Sequence, residues 1–309
     1  MAFAKGNESK EAVVFPKYVG VAPVYVLGVN PDKEEYEKIL GSELQKEPEY
    51  LSTIEIDGKN VDNARISFVV KTDAEKVDAE VISNLTFFLQ KRPRVGSQTG
   101  KYQVIDKYGD TAWAVRDEDF KFEDGKMKVI RVPQYAHGPA NIDIDYRLAY
   151  VGEEELTAFL KNFLCIPSRM AWVNSTWVPN NKVDIRDCEA RLENIDDYFK
   201  GNFKELRDII SLMPKNKVRV LFGVRTTDKG QFQTVLSSKT LRNSVSNYND
   251  LAKYVEERKL NGAFKDIEYP VVEFREYAVK PTEFNTSTKE MPKMEDDLPF
   301  GPSSDTPDW

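Results

Sequence analysis

The feature that most constrains the fold is a series of short β-type segments between residues 13 and 132. Runs rich in β-branched and aromatic residues recur there, and Gly, Pro or Asp bounds each of them. In one run, Ile66, Phe68 and Val70 alternate with polar residues, the period of a strand with one buried face. This density of short strands predicts a small barrel or sandwich.

The first elements can be placed from local signals. Residues 21–29 are apolar and β-branched, which predicts a strand. A short helix should follow, with Asn30 as its N-cap, Pro31 at its first position and Gly41 just beyond its end. The stretch Asp57-Gly58-Lys59-Asn60 predicts a hairpin turn. Further strands are predicted near 79–90, 101–106, 111–116 and 127–132.

The pattern changes at Gly152, where a helical period begins. Three acids precede apolar residues that share one helical face, so residues 152–215 are predicted to form a helical insertion. Strands return at 218–224 and 231–236 around a hairpin turn. A helix at 247–259 and a strand at 271–278 should complete an α+β domain that spans residues 13–280, after a flexible arm at 1–12.

Composition excludes several classes of function. The 309 residues carry a net charge of −7 and include one His and two Cys, too few for most metal, redox or His-based catalytic sites. No nucleotide-binding loop, nucleophile elbow or metalloprotease motif occurs. We therefore expect a protein that is not an enzyme and has no cofactor or metal. The chain has no apolar run that could span a membrane and no signal peptide, which predicts a soluble, intracellular protein with buried free thiols.

Positive charge is concentrated in two segments that also contain aromatic residues. Residues 85–114 have five cations and two acids, and residues 215–242 have seven cations and one acid. Single-stranded nucleic acid needs this combination, because cations contact the phosphates and rings stack on the bases. The candidate nucleic-acid-binding residues are Lys91, Arg92, Arg94, Lys101, Tyr102, Lys107, Tyr108, Trp113, Lys217, Arg219, Arg225, Lys229, Phe232 and Arg242.

A structural role is the alternative for each of these aromatic residues. Phe222 and Phe232 suit the buried face of a strand, and the cations suit a solvated face. Tyr108 and Trp113 are better candidates for stacking, because both lie next to Gly109 in a polar, basic stretch.

The last 29 residues, 281–309, have seven acids and two lysines and no apolar period. Such a segment cannot bury enough surface to offset the entropy of ordering, so we expect a disordered acidic tail. Exposed aromatic residues in it indicate docking onto partner proteins rather than solubilisation alone. The candidate partner-binding residues are Asp296, Asp297, Leu298, Pro299, Phe300 and Trp309.

Four stretches resemble the single-stranded-DNA-binding proteins of tailed bacteriophages, particularly those of crAss-like phages. They are GVAPVYVLGVNPDKEEYEKILG at 20–41, KYQVIDKYGDTAWA at 101–114, EELTAFLKNFLCIPS at 154–168 and KVRVLFGVRTTDKGQFQTVL at 217–236. The resemblance implies an OB-like β-barrel that binds single strands and an acidic tail that recruits replication and recombination proteins. It also implies that the YGDTAW segment and the Arg219–Phe232 hairpin lie at the groove, and that the protein works in the cytoplasm of an infected bacterium.

The tail resembles the acidic Pro-Phe tip of bacterial single-strand-binding proteins at EDDLPF, residues 295–300. It differs because nine residues follow Phe300, so the free carboxylate belongs to Trp309. The zinc ligands of some phage relatives are absent.

The sequence thus predicts a single-stranded-DNA-binding protein of phage replication, recombination and repair. Two alternatives stay open: a strand-annealing recombination protein, and a scaffolding protein whose acidic tail is its active part.

Overall fold

The computed structural model describes residues 18–73, 80–97, 100–113, 120–123, 126–129, 146–227, 230–236, 240–242 and 267–268. The fold is α+β, with antiparallel sheets and few helices. In the described part of the chain, no helix is long and apolar enough to cross a bilayer. The predicted arm at 1–12, the helix at 247–259, the strand at 271–278 and the tail at 281–309 lie outside these residues.

Sixteen strands and four helices are described. The strands are β1 (Gly20–Val29), β2 (Leu51–Ile56), β3 (Lys59–Thr72), β4 (Ile82–Pro93), β5 (Gln103–Asp106), β6 (Thr111–Trp113), β7 (Phe120–Glu123), β8 (Lys126–Val129), β9 (Tyr146–Leu148), β10 (Tyr150–Val151), β11 (Met170–Val173), β12 (Thr176–Pro179), β13 (Lys217–Thr227), β14 (Gly230–Val235), β15 (Leu241–Arg242) and β16 (Ile267–Glu268). The helices are α1 (Lys33–Leu40), α2 (Glu153–Phe163), α3 (Ile195–Tyr198) and α4 (Lys204–Leu212), with a 3-10 turn at Ile185–Cys188.

One nine-stranded sheet organises the molecule. Its main path is β10-β4-β3-β1-β13-β14; β2 pairs with β3, and β15 and β16 pair with β13. Smaller sheets are formed by β6-β5-β9, by β7-β8 and by β11-β12.

The main sheet is curled but is not the closed barrel that we predicted. Residues of β14 and β4 come within 8 Å of each other, measured between Cα atoms, although three strands separate them in the sheet. Closure requires a hydrogen-bonded ladder between these strands, at a spacing of about 4.8 Å. Among the described residues no such ladder joins β4 to β14.

The core lies between one face of the main sheet and the helices. Alternate residues of β1, β3, β4 and β13 point to it, as the period of two in the sequence predicts. The ring of Phe159 on α2 lies 4.4 Å from that of Phe68 and 5.4 Å from that of Phe87, between centroids. Leu206 and Ile210 extend this core along α4.

The first turn of α1 corrects the predicted N-cap. Asp32, not Asn30, caps the helix: its side chain accepts from the backbone of Glu35, whose own side chain accepts from the backbone of Asp32. Asn30 is buried instead and joins β1 to β3, because its side-chain amide donates to the Arg65 carbonyl (2.9 Å) and accepts from the Ser67 backbone (2.6 Å). Gly41 ends the helix with a left-handed backbone, as predicted.

The hairpin between β2 and β3 is confirmed, with a shorter turn than predicted. Asp57 and Gly58 alone form the turn, and both have positive φ (51° and 72°). This is the geometry of a two-residue turn that matches strand twist. Lys59 and Asn60 already belong to β3.

Residues 152–215 contain the predicted helices, but they also contain the β11–β12 hairpin. Their apolar side chains belong to the same core as the main sheet, among them Leu156, Leu192 and Tyr198. This segment therefore contributes to the domain core.

Candidate nucleic-acid interface

The sheet face opposite the core, which we call the second face, carries a mixture of polar and aromatic residues. Cross-strand pairing places Phe88 beside Arg65, and Lys71, Tyr25 and Lys217 in one row. Parts of this face are covered, since Val69 and Leu221 are fully buried. Phe88 and Phe232, in contrast, are 57% and 50% exposed.

Phe88 is held rigidly although its ring is exposed. Its neighbours along β4, Phe87 and Leu89, belong to the core and anchor the strand from behind. Gly152, with φ +89°, lies against the backbone of Phe88: a Cβ there would be 1.9 Å from the Phe88 carbonyl oxygen. Only glycine fits this approach, so the junction of β10 and α2 packs directly against the β4 backbone at Phe88.

Two more polar side chains follow Phe88 on β4. Arg92 Nε donates to Gln90 Oε1 (2.7 Å), where the pairing of β4 with β10 shifts register. Lys91 between them turns away, 3.8 Å from the Asp62 carboxylate and 6.0 Å from the centre of the Phe199 ring. We call Arg65, Phe88, Gln90 and Arg92 the β4 platform.

The Arg65 side chain is packed against an aromatic ring. Its guanidinium carbon lies 5.5 Å from the centre of the Tyr50 ring. Burial raises the pKa of Tyr50 to about 12, so the phenol stays protonated and donates to the Pro31 carbonyl (2.7 Å). This neutral, anchored ring therefore packs against the guanidinium of Arg65, the cross-strand partner of Phe88.

The predicted DNA-binding residues on β13 and β14 differ in their exposure and in their contacts. Lys217 pairs with Asp73 (2.5 Å) and lies over the Tyr25 ring (4.7 Å). Arg219 is only 4% exposed, so the structure corrects the expectation that it lies on the surface. Phe232 is exposed, and the backbone of Arg225 pairs with it in the ladder. Lys229 lies outside the described residues.

Tyr108 corrects the stacking prediction for the YGDTAW segment. It is 4% exposed, and its ring is flanked by the Arg169 guanidinium at 4.9 Å and the Lys107 amine at 5.0 Å. A ring covered by two cations and buried to this degree has no face for a base. Trp113, at the end of β6, keeps 39% of its surface exposed and stays a candidate.

Tyr108 belongs to a cluster of buried charges. Asp106 is fully buried and accepts from Arg169 (2.8 Å) and from two backbone N–H groups of the turn. Arg169 also contacts Asp110 (2.7 Å), which accepts from Lys161 (2.6 Å). Each carboxylate therefore has a cation partner, as buried charges require.

The two carboxylates of this cluster respond differently to their surroundings. Burial raises the pKa of Asp106, and Arg169 offsets this only in part. Burial acts in the same direction on Asp110, but Lys161 and Arg169 together outweigh it and lower the pKa of this carboxyl. The cluster joins the β5–β6 turn to α2 and to the loop before β11.

Most other predicted cations also contact partners within the fold. Arg94 pairs with Glu154 (2.6 Å) on α2, and Lys107 pairs with Glu189 (3.1 Å). Arg242 donates to the Ile166 carbonyl. Lys101 and Tyr102 are half-buried just before β5. These contacts were not predictable, because every acceptor comes from residues 154–189, far along the sequence.

Two acids at the start of α2 have partners within the fold. Glu153 is fully buried and pairs with Arg147, and it also accepts from the backbone of Tyr150 (3.0 Å). Glu154 accepts from Arg94, Gln103 and Thr111 together. Cys188 is the buried free thiol that we expected, whereas Cys165 is exposed.

Sequence reasoning missed the β4 platform apart from Arg92. The signal was present, because Leu85, Phe87 and Leu89 alternate with Thr86 and Phe88. A period of two therefore places Phe88 on the polar face, where an aromatic residue is informative. Arg65 and Gln90 could be found only from the register of β3 with β4.

The tail residues Asp296, Asp297, Leu298, Pro299, Phe300 and Trp309 lie outside the described residues. Within the described ranges, no group of three or more His, Cys, Asp or Glu residues is placed to hold a metal ion. No known protein family matches this chain, and neither does any curated protein or solved structure.

Proposed function

We propose that this protein binds single-stranded DNA, and that Phe88 of the β4 platform stacks on a base. The observation that carries the proposal is a ring that is 57% exposed on a rigid strand, between Arg65 on one side and Gln90 and Arg92 on the other. An exposed aromatic residue beside cations combines a stacking surface with phosphate contacts. Phe232 supplies a second exposed ring on the same sheet face.

Single strands fit this surface better than duplex DNA. In a duplex the faces of the bases already stack on one another, so no base face is free to stack on the Phe88 ring. A single strand exposes its bases and gains about 1–3 kcal/mol for each base that stacks on an aromatic side chain. Phosphate contacts by cations such as Arg92 add a component of affinity that falls as salt rises.

The role resembles that of an OB-type barrel, and we propose that the curled sheet binds single strands as such a barrel does.

The acidic tail at 281–309 would then recruit replication and recombination proteins, through Phe300 or Trp309. Deletion of residues 281–309 should abolish this recruitment and raise single-strand affinity at low salt, because a tethered acidic segment competes with DNA for cations. Pull-down and a titration at two salt concentrations test the two effects separately. Retention of all partners by the truncated protein would contradict the recruitment role.

A titration with fluorescent oligonucleotides, single-stranded and duplex, tests the main proposal. Binding should favour single strands and weaken steeply as salt increases. Phe88→Ala should reduce the affinity, whereas Leu212→Ala should not, because Leu212 is a 75% exposed residue at the end of α4 and not part of the β4 platform. Equal affinity for duplex and single strand, or equal losses in both variants, would overturn the proposal.

A further inference from the structure

The geometry points to a homodimer contact at the outer edge of β2, where this strand pairs antiparallel with β2 of a second copy of the chain. The contact does not depend on the proposed binding of DNA. It follows from the backbone direction along β2, from the absence of features that protect this edge, and from the charges of the β2–β3 hairpin.

One edge of β2 is paired and the other is open. The Tyr50 carbonyl accepts from the backbone N–H of Arg65 (2.7 Å), so the backbone groups of residue 50 point to β3. These groups alternate in direction along an antiparallel strand, so those of Leu51, Thr53 and Glu55 point away from β3. Among the described residues, β3 alone pairs with β2, and no hydrogen bond engages the outward groups.

The open edge lacks the features that usually prevent strands from pairing. Exposed edges are commonly protected by Lys or Pro, by a bulge, or by very short length. β2 has six residues, none of them Lys or Pro, and its register with β3 is regular. In contrast, β10 at one end of the sheet path has two residues and a shifted register. The edge of β2 is therefore suited to pairing with another strand.

The tip of the β2–β3 hairpin is a two-stranded ribbon. Pairing of β3 with β4 begins at Asn63, so in the described part of the chain residues 59–62 pair with β2 and with no other strand. Two-stranded ribbons are marginally stable in water, and further strands stabilise them. Pairing of two copies through β2 gives a four-stranded sheet here, in the order β3-β2-β2-β3.

Charge and register favour a second copy as the partner. The outward residues match when Thr53 faces the partner's Thr53 on a two-fold axis, which places Leu51 opposite the partner's Glu55. No like charges then face each other. The two Glu55 residues are offset by about 13 Å along the strands, beyond the Debye length of about 8 Å at physiological salt. Nucleic acid suits this edge poorly, because residues 55–62 include three acids and one lysine.

The dimer brings the two binding surfaces to one side. Facing residues of an antiparallel pair place their side chains on the same face of the sheet. The second faces of the two copies therefore lie on one side of the joined sheet, with one exposed Phe88 ring in each copy. On the proposed function, the dimer presents two stacking surfaces to the same DNA strand.

Sedimentation velocity on the full chain without DNA, over a micromolar to submillimolar concentration series, tests the contact. The wild type should shift from the mass of one chain to that of two as concentration rises, because a contact of this size is weak. Thr53→Pro removes the central outward N–H and keeps the ladder to β3. Its dissociation constant should rise about tenfold, the range for two lost hydrogen bonds.

Thr53→Lys and Thr53→Glu test the register. Each variant alone places like charges opposite each other on the two-fold axis and should stay monomeric, whereas an equimolar mixture of the two should dimerise. Asn60→Lys is the matched control and should dimerise like the wild type. It adds the same charge to an exposed position on the same face of the hairpin, one strand away from the contact. Circular dichroism and the unfolding midpoint verify that each variant is folded.

Three results would overturn the inference. They are a wild type that stays monomeric over the whole series, a dimer that Thr53→Pro and Thr53→Lys leave intact, and a mixture of the Lys and Glu variants that does not dimerise. The second result would place the contact elsewhere on the molecule. None of them bears on the proposed function, which the DNA titrations test separately.

Discussion

The β4 platform and the β5–β6 turn contain the same kinds of residue in opposite situations. In the platform, an exposed Phe88 lies beside Arg65 and near Arg92, whose described bond is to a neutral amide. In the turn, Tyr108 is buried between Lys107 and Arg169. Cations next to an aromatic residue are therefore part of an exposed surface at the β4 platform and part of the buried interior at the β5–β6 turn.

The difference comes from charged partners that are distant in sequence. The turn faces α2 and its flanking loops, which supply Lys161, Arg169 and Glu189 as ion-pair partners for Asp110, Asp106 and Lys107. The platform lies on the sheet face opposite the core, and Gly152 packs closely against the backbone of Phe88. A local surplus of positive charge thus indicates a binding surface only where the fold does not neutralise it.

The largest expected effect is on the buried cluster. Arg169→Ala removes the cation shared by Asp106 and Asp110 and leaves a fully buried carboxylate without it. Loss of one partner of a buried pair costs about 3–5 kcal/mol, so the free energy of unfolding should fall by that order. Chemical denaturation measures it. Arg186→Ala, which removes an exposed ion pair with Asp184, is the control and should cost little.

The two aromatic residues should separate binding from stability. Phe88→Ala should cost about 1–3 kcal/mol of binding to single strands and leave the unfolding midpoint nearly unchanged. Tyr108→Ala should lower the unfolding midpoint and leave the affinity for single strands nearly unchanged, because it removes a buried ring. Parallel binding and thermal-unfolding measurements test both. A selective loss of affinity in Tyr108→Ala would mean that the comparison is wrong.

Salt dependence should distinguish the two sets of cations. Arg92→Gln should flatten the dependence of log affinity on log salt by about one unit, as expected for one lost phosphate contact. Arg94→Gln should leave the slope unchanged, because Arg94 is already paired with Glu154 and Glu155. Titrations at several salt concentrations give both slopes. Equal slopes in the two variants would place the DNA elsewhere.

The smallest effect concerns pH. The pKa of Asp110 is lowered in the fold, so its contribution to stability is present above its ordinary value of 3.8 and is lost as the pH falls through the folded value. Asp110→Asn should therefore have a lower free energy of unfolding than the wild type at neutral pH. This difference between the two proteins should become smaller as the pH falls below 3.8 and Asp110 becomes protonated in the wild type. Denaturant titrations at neutral and acidic pH measure it, with Asp208→Asn on the exposed side of α4 as the control.

Much of the local structure was predictable because its causes are local. The alternation at Ile66, Phe68 and Val70 identified the buried face of β3, and the apolar face of α2 identified its contact with the core. The N-cap of α1 was misplaced, because Asn30 and Asp32 are both good caps. A tertiary contact with β3 decided between them, since it engages Asn30 in bonds to Arg65 and Ser67.

The candidate site was harder to predict than the fold. Charge counts selected Lys107, Arg94 and Arg219, which the structure finds paired or buried. They overlooked Phe88, which a strict period of two places on the polar side of β4. A charge count treats all cations alike, whereas the exposure of each cationic side chain depends on which helices, strands and loops pack against it.

The sequence by itself determined the α+β class, the alternating strand faces and the turn at Asp57-Gly58, because steric and hydrophobic preferences act over a few residues. Tertiary structure alone decided that the main sheet curls without closing, that Tyr108 is a core ring and that Phe88 is exposed. These outcomes depend on pairing between residues tens of positions apart, such as Arg65 with Phe88 and Asp106 with Arg169. Long-range pairs of this kind form only when the whole sheet is assembled, and no short window of the chain contains both partners.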